Sequence, residues 1–115
     1  MTDESDEQEV GKTASPSSVL LDLISKAIDA GADALEVEHK DGREQCCAMK
    51  GRLGFGIASF ESGSTEGSSL RQDLYRMSKK TGNAVDLSDR NYHLEVQVFD
   101  SFGDDAFRIT IRASK

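Results

Sequence analysis

The neighbouring pair Cys46-Cys47 is the most chemically suggestive feature of this chain. Thiolates serve as nucleophiles, redox partners and metal ligands. In an extended segment adjacent side chains point to opposite faces, so the two sulfurs do not bond to each other. The expectation is one buried and one surface thiol, with a redox or intermolecular disulfide role for Cys46 or Cys47 as the sharper reading. Metal binding has less behind it, since there is no C-x-x-C spacing and the histidines are only His39 and His93. A Cys–His nucleophile pair has no third residue in the sequence to orient it. The two histidines would meet only on neighbouring strands; each is expected at a strand end or on a wet face.

The run Gly51-x-x-Gly54-x-Gly56 is glycine-rich, but a phosphate cradle needs its glycines to feed a helix N-terminus. Here they alternate with Leu53, Phe55 and Ile57, which is a strand pattern, and the small residues are expected to admit a close backbone or helix. Asp104-Asp105 is turn chemistry and Glu36/Glu38 a solvated strand face, so neither carboxylate pair forms an acid/base dyad. The basic residues Arg71, Arg76, Lys79 and Lys80 cluster on one predicted helix and are expected to face water. They form a candidate docking surface for an acidic partner or for the acidic tail. Only Tyr75 lies among them, which argues against stacking on single-stranded nucleic acid.

These groups sit in a chain of 115 residues, enough for one domain. Mean hydropathy is -0.50 and the formal net charge is -7. Five of the 21 acids fall in residues 1–10 with no base among them, leaving 16 acids against 14 bases. An acidic chain is a poor match for a phosphate backbone, so nucleic acid is not an expected partner. No apolar run is long enough to span a bilayer and the N-terminus lacks a signal-peptide pattern, so no membrane insertion is expected. Residues 1–14 hold too few apolar groups to offset ordering costs and are expected to be a disordered acidic tail. Two cysteines without a disulfide framework favour a reducing cytoplasm.

The remaining residues, 15–113, read as one α+β domain. Ser15-Pro16 opens a helix over 16–30, with Ser17 or Ser18 as alternative caps. Val19, Leu20, Leu23, Ile24, Ala27 and Ile28 follow helical spacing, and Gly31 ends the helix. Leu35 and Val37 alternate with Glu36 and Glu38 as a strand. Asp41-Gly42 is a hairpin turn, followed by strands near 43–50 and 53–58. Glu61–Gly67 reads as a loop, and Ser68 or Ser69 caps a second helix carrying Leu70, Leu74 and Met77. Tyr92, Leu94, Val96 and Val98 form one strand, and Phe107, Ile109 and Ile111 form another after a loop at Ser101–Asp105. Glu95 is placed to pair with Arg108 or Arg112 across these strands. The order is α-β-β-β-α-β-β, a mostly antiparallel sheet with both helices on one face.

The stretch from Leu20 to Glu38, followed by a turn, a strand ending Lys50-Gly51 and then Leu53, resembles the N-terminal domain of type II secretion and type IV pilus assembly ATPases. There a helix and strand of the form LL…AI..GASDIHIEP precede RxRIDG.L, a second helix and a closing hairpin. The likeness covers about residues 17–113. It implies a PAS-like domain that in the family sits in a hexamer and pivots on the ATPase core. Gly31, Ala32, Leu35, Val37, Glu38 and Gly51 match. The family's Asp and His fall on Ala34 and Glu36, its two strand arginines on Cys46 and Ala48, and its Asp before glycine on Lys50. Those arginines reach nucleotide phosphates, a role needing forked cationic donors. No G-x-x-x-x-G-K-S/T run occurs either.

The resemblance thus implies a bacterial, free-standing or truncated, non-enzymatic regulatory or protein–protein interaction module. It implies no cofactor and a partner such as a secretion or pilus component. Its expected working surfaces are Glu36, Glu38, His93, Glu95, Arg108 and Arg112 on the sheet, with the basic side of the second helix. The alternative is a small-molecule sensor with a PAS-like cavity near Phe55, Tyr92 and Phe99.

Overall fold

The computed structural model describes residues 16–114; the tail expected over residues 1–14, and Ser15 with it, lies outside them. Helix α1 spans Ser18–Asp29 and buries Leu20, Leu23, Ile24 and Ala27. It starts later than the Ser15-Pro16 reading because Ser17 takes the cap position in extended conformation, though its hydroxyl makes no cap bond. The Ser17 amide donates instead to Asp73 Oδ2 at 2.7 Å, tying the start of α1 to the second helix. At the other end Gly31 adopts a φ of 79°. Its N–H reaches the Ile28 carbonyl and the Ala32 N–H reaches that of Ala27. These two bonds satisfy terminal carbonyls as a Schellman motif, which only a residue tolerant of positive φ admits cheaply.

Three strands follow: β1 (Ala34–Lys40), β2 (Arg43–Lys50) and β3 (Leu53–Glu61). Helix α2 (Thr65–Ser78) precedes β4 (Asn83–Leu87), β5 (Arg90–Ser101) and β6 (Asp104–Ala113). The helix begins earlier than Ser68, because Ser64 is the cap and accepts from the Gly67 N–H at 3.0 Å. The last three residues of the segment expected as loop, Thr65, Glu66 and Gly67, are thus its first turn, and Glu61 closes β3. β4 is the element that the sequence pattern did not reveal. It is only five residues long, with Val85 the one buried aliphatic between the exposed Ala84 and Asp86.

The strands form one six-stranded antiparallel sheet in the order β3-β2-β1-β6-β5-β4. Pairing of β1 with β6 joins the two halves at the centre. Val96, Ile109, Leu35, Ala48 and Phe55 stand in one cross-strand row, and Val98, Phe107, Val37, Cys46 and Ala58 in the next. Both helices cover this face, with Leu20, Leu23, Ile24, Leu70, Leu74 and Met77 packed into the same core as Leu35, Leu94, Phe107 and Ile109. The fold is therefore α+β with both helices on one side of the sheet. Each large side chain buried there contributes ~1.5–3 kcal/mol before entropy is counted.

The hairpins turn tightly. Asp41-Gly42, Ser88-Asp89 and Phe102-Gly103 each place two residues at positive φ between paired strands. This geometry matches the right-handed strand twist. The expected loop at Ser101–Asp105 is one such two-residue turn.

Candidate functional site

The densest polar cluster begins with a residue that breaks the pattern of its own strand. Glu44 shares the face of Cys46 and Ala48 on β2, beneath the helices, and is wholly buried. Opposite it stand His39 on β1 and Phe60 on β3. Ser62, just past β3, and Arg71, in the second turn of α2, complete its surroundings. Ser62 Oγ donates to Glu44 Oε2 at 2.6 Å, His39 Nδ1 lies 2.8 Å from the same oxygen, and Arg71 Nη1 donates to Oε1 at 3.0 Å. Burial pushes the Glu44 carboxyl up. Hydrogen bonds from Ser62, His39 and Arg71, with the Arg71 charge, outweigh it and hold the group below its ordinary value.

The network continues outward. Arg71 Nη2 donates to Tyr75 Oη at 3.0 Å, and Tyr75 donates to Asp105 Oδ2 at 2.5 Å. The Arg71 guanidinium lies 5.4 Å from the Tyr75 ring centre and 5.5 Å from that of Phe107. The two rings meet edge to face at 4.9 Å. An open cleft of about 420 Å³ borders the cluster, lined by His39, Glu44, Ser62, Ser68, Arg71 and Tyr75 among others.

Serine, histidine and glutamate are the residue types of an acyl-transfer triad, but their arrangement here differs from one. A relay uses both ring nitrogens, one toward the acid and one toward the hydroxyl. Here Ser62 Oγ and Glu44 Oε2 both lie against His39 Nδ1, at 3.0 and 2.8 Å. The serine proton is directed at the carboxylate, so the imidazole does not activate the hydroxyl. The set holds β1, β2 and α2 together rather than preparing a nucleophile. The sequence reading missed it. Its signal was a carboxylate at the apolar parity of β2.

No family model and no curated protein matches this chain.

The residues singled out in the sequence are dispersed. Arg71, expected to face water, is turned inward onto Glu44, because a buried carboxylate needs a cation within reach. Arg76 pairs with Asp73 at 2.9 Å, and Lys79 and Lys80 are exposed just past the end of α2. On the uncovered face of the sheet Arg108 donates to Glu36 at 2.6 Å, and Ser101 donates to Glu38 at 3.0 Å. Glu95 finds Arg112 at 3.8 Å, whereas Arg108 chooses Glu36. His39 and His93 belong to β1 and β5, which β6 separates, so they do not meet. The ring of His93 lies against Gly82 instead.

Cys46 is buried and Cys47 half-buried, and both are free thiols. Burial, reinforced by Cys47 and Glu44, pushes the Cys46 thiol up to about 12. Burial and the nearby Glu38 and Glu36 raise Cys47 as well. Neither environment favours a thiolate. Cys46 and Ala48, where the resemblance would set the family's strand arginines, both lie in the core. The expected close approach at the strand glycines is made by a side chain: a Cβ on Gly54 would lie 2.8 Å from Met49 Sδ, and none of the neighbours comes within 4 Å at Gly56. Phe55, Tyr92 and Phe99 line no common cavity. Phe55 and Tyr92 stand on β3 and β5 with β2, β1 and β6 between them, and Phe99 alternates to the opposite face from Tyr92. Among the described residues no group of three or more His, Cys, Asp or Glu is arranged to hold a metal ion. No helix among them is long and apolar enough to cross a membrane.

Proposed function

We propose that this chain is a non-enzymatic protein–protein interaction module, of the regulatory kind that the secretion-ATPase resemblance implies, and that it engages its partner through the β5–β6 hairpin tip. The observation behind this reading is Phe102. It is fully exposed and adopts a φ of 55° at a two-residue turn. A bulky side chain in the left-handed region carries a cost that Asn, Asp or Gly escapes. The other turns of this conformation use Asp41-Gly42 and Ser88-Asp89. A phenylalanine at such a place exposes an apolar anchor at the expense of stability, which is the pattern of a functional contact rather than a folding one.

The surroundings indicate the partner's chemistry. Val98 and Phe99 are also exposed beside the tip, and Asp100, Asp104 and Asp105 surround it. An apolar knob within an acidic collar fits a protein pocket that is apolar at its floor and rimmed by Lys or Arg. The test is a photo-reactive amino acid placed at position 102 in the native cytoplasm, with the same group at the exposed Lys50 as control. A partner cross-linked from 102 but not from 50, and lost on Val98→Asp/Phe99→Asp substitution, is the expected result. Equal capture from both sites sinks the proposal.

A further inference from the structure

The sheet ends in two unlike edges. β4 is five residues long and carries Asp86. β3 is nine residues long, and from Leu53 to Phe60 it holds neither charge nor proline. Leu53 is 73% exposed and Phe55 40%. Long apolar edges are templates for another strand, and proteins usually guard them with lysine, proline or a covering element. Among the described residues β3 pairs only with β2, so its outer backbone groups face away from the sheet.

An irregularity decides what fits this edge. Cys46 pairs with Ala58 while Cys47 pairs with Gly56, so Ile57 is an extra residue in β3. The bulge shifts the alternation by one. Leu53 and Phe55 before it, opposite Lys50 and Ala48, therefore share the helix-covered face with Ala58 and Phe60 after it, opposite Cys46 and Glu44. Without the bulge, residues 53 and 60 would lie on opposite faces.

We infer that β3 is the dimerisation edge of this protein and that its occupant is β3 of a second copy, paired antiparallel about a two-fold axis between Gly56 and Ile57. In this register Leu53 faces Phe60 of the second copy and Phe55 faces its Ala58, all on one side of a continuous sheet. Arg52 faces Glu61 at each end, so the charges flanking the apolar run are complementary to themselves under the two-fold operation. Arg52 is exposed, and the Glu61 side chain is 77% exposed, with a loose 3.9 Å contact to Arg43. Arg43 also donates to the Ser59 hydroxyl at 2.7 Å and to its carbonyl at 3.3 Å, which ties β3 to β2 and pre-orders the edge. This surface lies apart from the Phe102 tip, so the two proposals stand or fall separately.

The test is the mass in solution by sedimentation equilibrium over a range of concentrations, with circular dichroism as the check on folding. The wild type is expected at twice the 12.5 kDa of the chain. Leu53→Lys, at an exposed position, is expected to weaken the dimer at least ~10-fold by placing a charge opposite Phe60 of the second copy. Arg52→Glu and Glu61→Arg each set like charges against each other and are expected to be monomers. Mixed in equal amounts they regain the dimer, because every pair across the heterodimer is again opposite in sign. Phe102→Asn leaves the dimer intact. A wild type that stays at 12.5 kDa throughout, a dimer indifferent to these changes, or a mixture that remains monomeric overturns the inference.

Discussion

Arg71 Nη1 lies 3.0 Å from Oε1 of Glu44, and the glutamate side chain it meets is wholly buried while the arginine side chain keeps a quarter of its surface. This pair joins the second helix to the first half of the sheet. Through Tyr75 and Asp105 the same guanidinium reaches β6 in the second half. An ion pair of this kind need not add net stability over an apolar replacement. Removal of one partner, however, leaves a charge stranded in the core. The cluster therefore acts as a geometric staple.

Glu44 makes the domain acid-sensitive. Its carboxyl titrates lower in the folded chain than in the unfolded one, whose ordinary value is 4.5. A depressed carboxylate contributes stability that is complete above the unfolded value and is lost as pH falls through the folded one. Urea unfolding from pH 7 down to pH ~3 is expected to show a loss that starts near the ordinary carboxylate range and deepens below it. Glu44→Gln is expected to be less stable at pH 7 by about 1–3 kcal/mol and to show a shallower acid loss. Equal pH slopes in the two proteins would remove Glu44 from the account.

Arg71→Met probes the same pair from the other side. It preserves much of the stem packing but leaves Glu44 without its cation. The expected cost is about 3 kcal/mol at neutral pH. The carboxyl then rises, so the penalty shrinks in acid as Glu44 takes up a proton. A constant penalty from pH 7 to pH ~4 would mean that packing rather than charge is lost.

Phe102→Asn separates folding from binding. Asparagine adopts the left-handed turn conformation more readily, so the variant is expected to gain ~0.5–1 kcal/mol and a higher Tm. If thermal unfolding shows a loss instead, Phe102 serves the fold and its exposure needs another reason.

The two cysteines are expected to differ in reactivity. In the native state a thiol-specific reagent modifies Cys47 slowly and leaves Cys46 untouched until the domain unfolds. Cys46→Ser is expected to cost about 1–3 kcal/mol by burying a hydroxyl in the core, while Cys47→Ser stays within ~0.5 kcal/mol. Mass spectrometry of partially labelled protein checks the order. Rapid labelling of Cys46 would show that α1 and α2 open readily.

Gly67 offers a test of close packing. In a helix alanine is normally favoured over glycine by roughly 1 kcal/mol. A Cβ at this position would meet the backbone carbonyl of Glu61, which cannot swing aside. Gly67→Ala is therefore expected to destabilise by ~1–3 kcal/mol. Gly54→Ala meets only the flexible end of Met49 and is expected to be milder. The reverse ranking in chemical denaturation would contradict the packing described here.

Much of the fold was legible from the chain. Helical spacing from Leu20 to Ala27, the glycine stop at Gly31, the Asp41-Gly42 turn and the alternation from Tyr92 to Val98 are local signals. Each rests on contacts or dihedrals within a few residues, and periodicity reports which face a side chain takes. β4 escaped because five residues with one buried aliphatic give too little period to read. Periodicity does not say what a face meets. That β1 lies between β2 and β6, that Arg71 turns inward, and that His39 and Ser62 share one oxygen of Glu44 depend on segments up to tens of residues apart. The bulge at Ile57 belongs to the same class, since it exists only as a mismatch between two paired strands. Local propensity selected the elements and their buried sides. Long-range pairing, driven by burial of one shared apolar face, selected their neighbours and so created the polar cluster and the open edge.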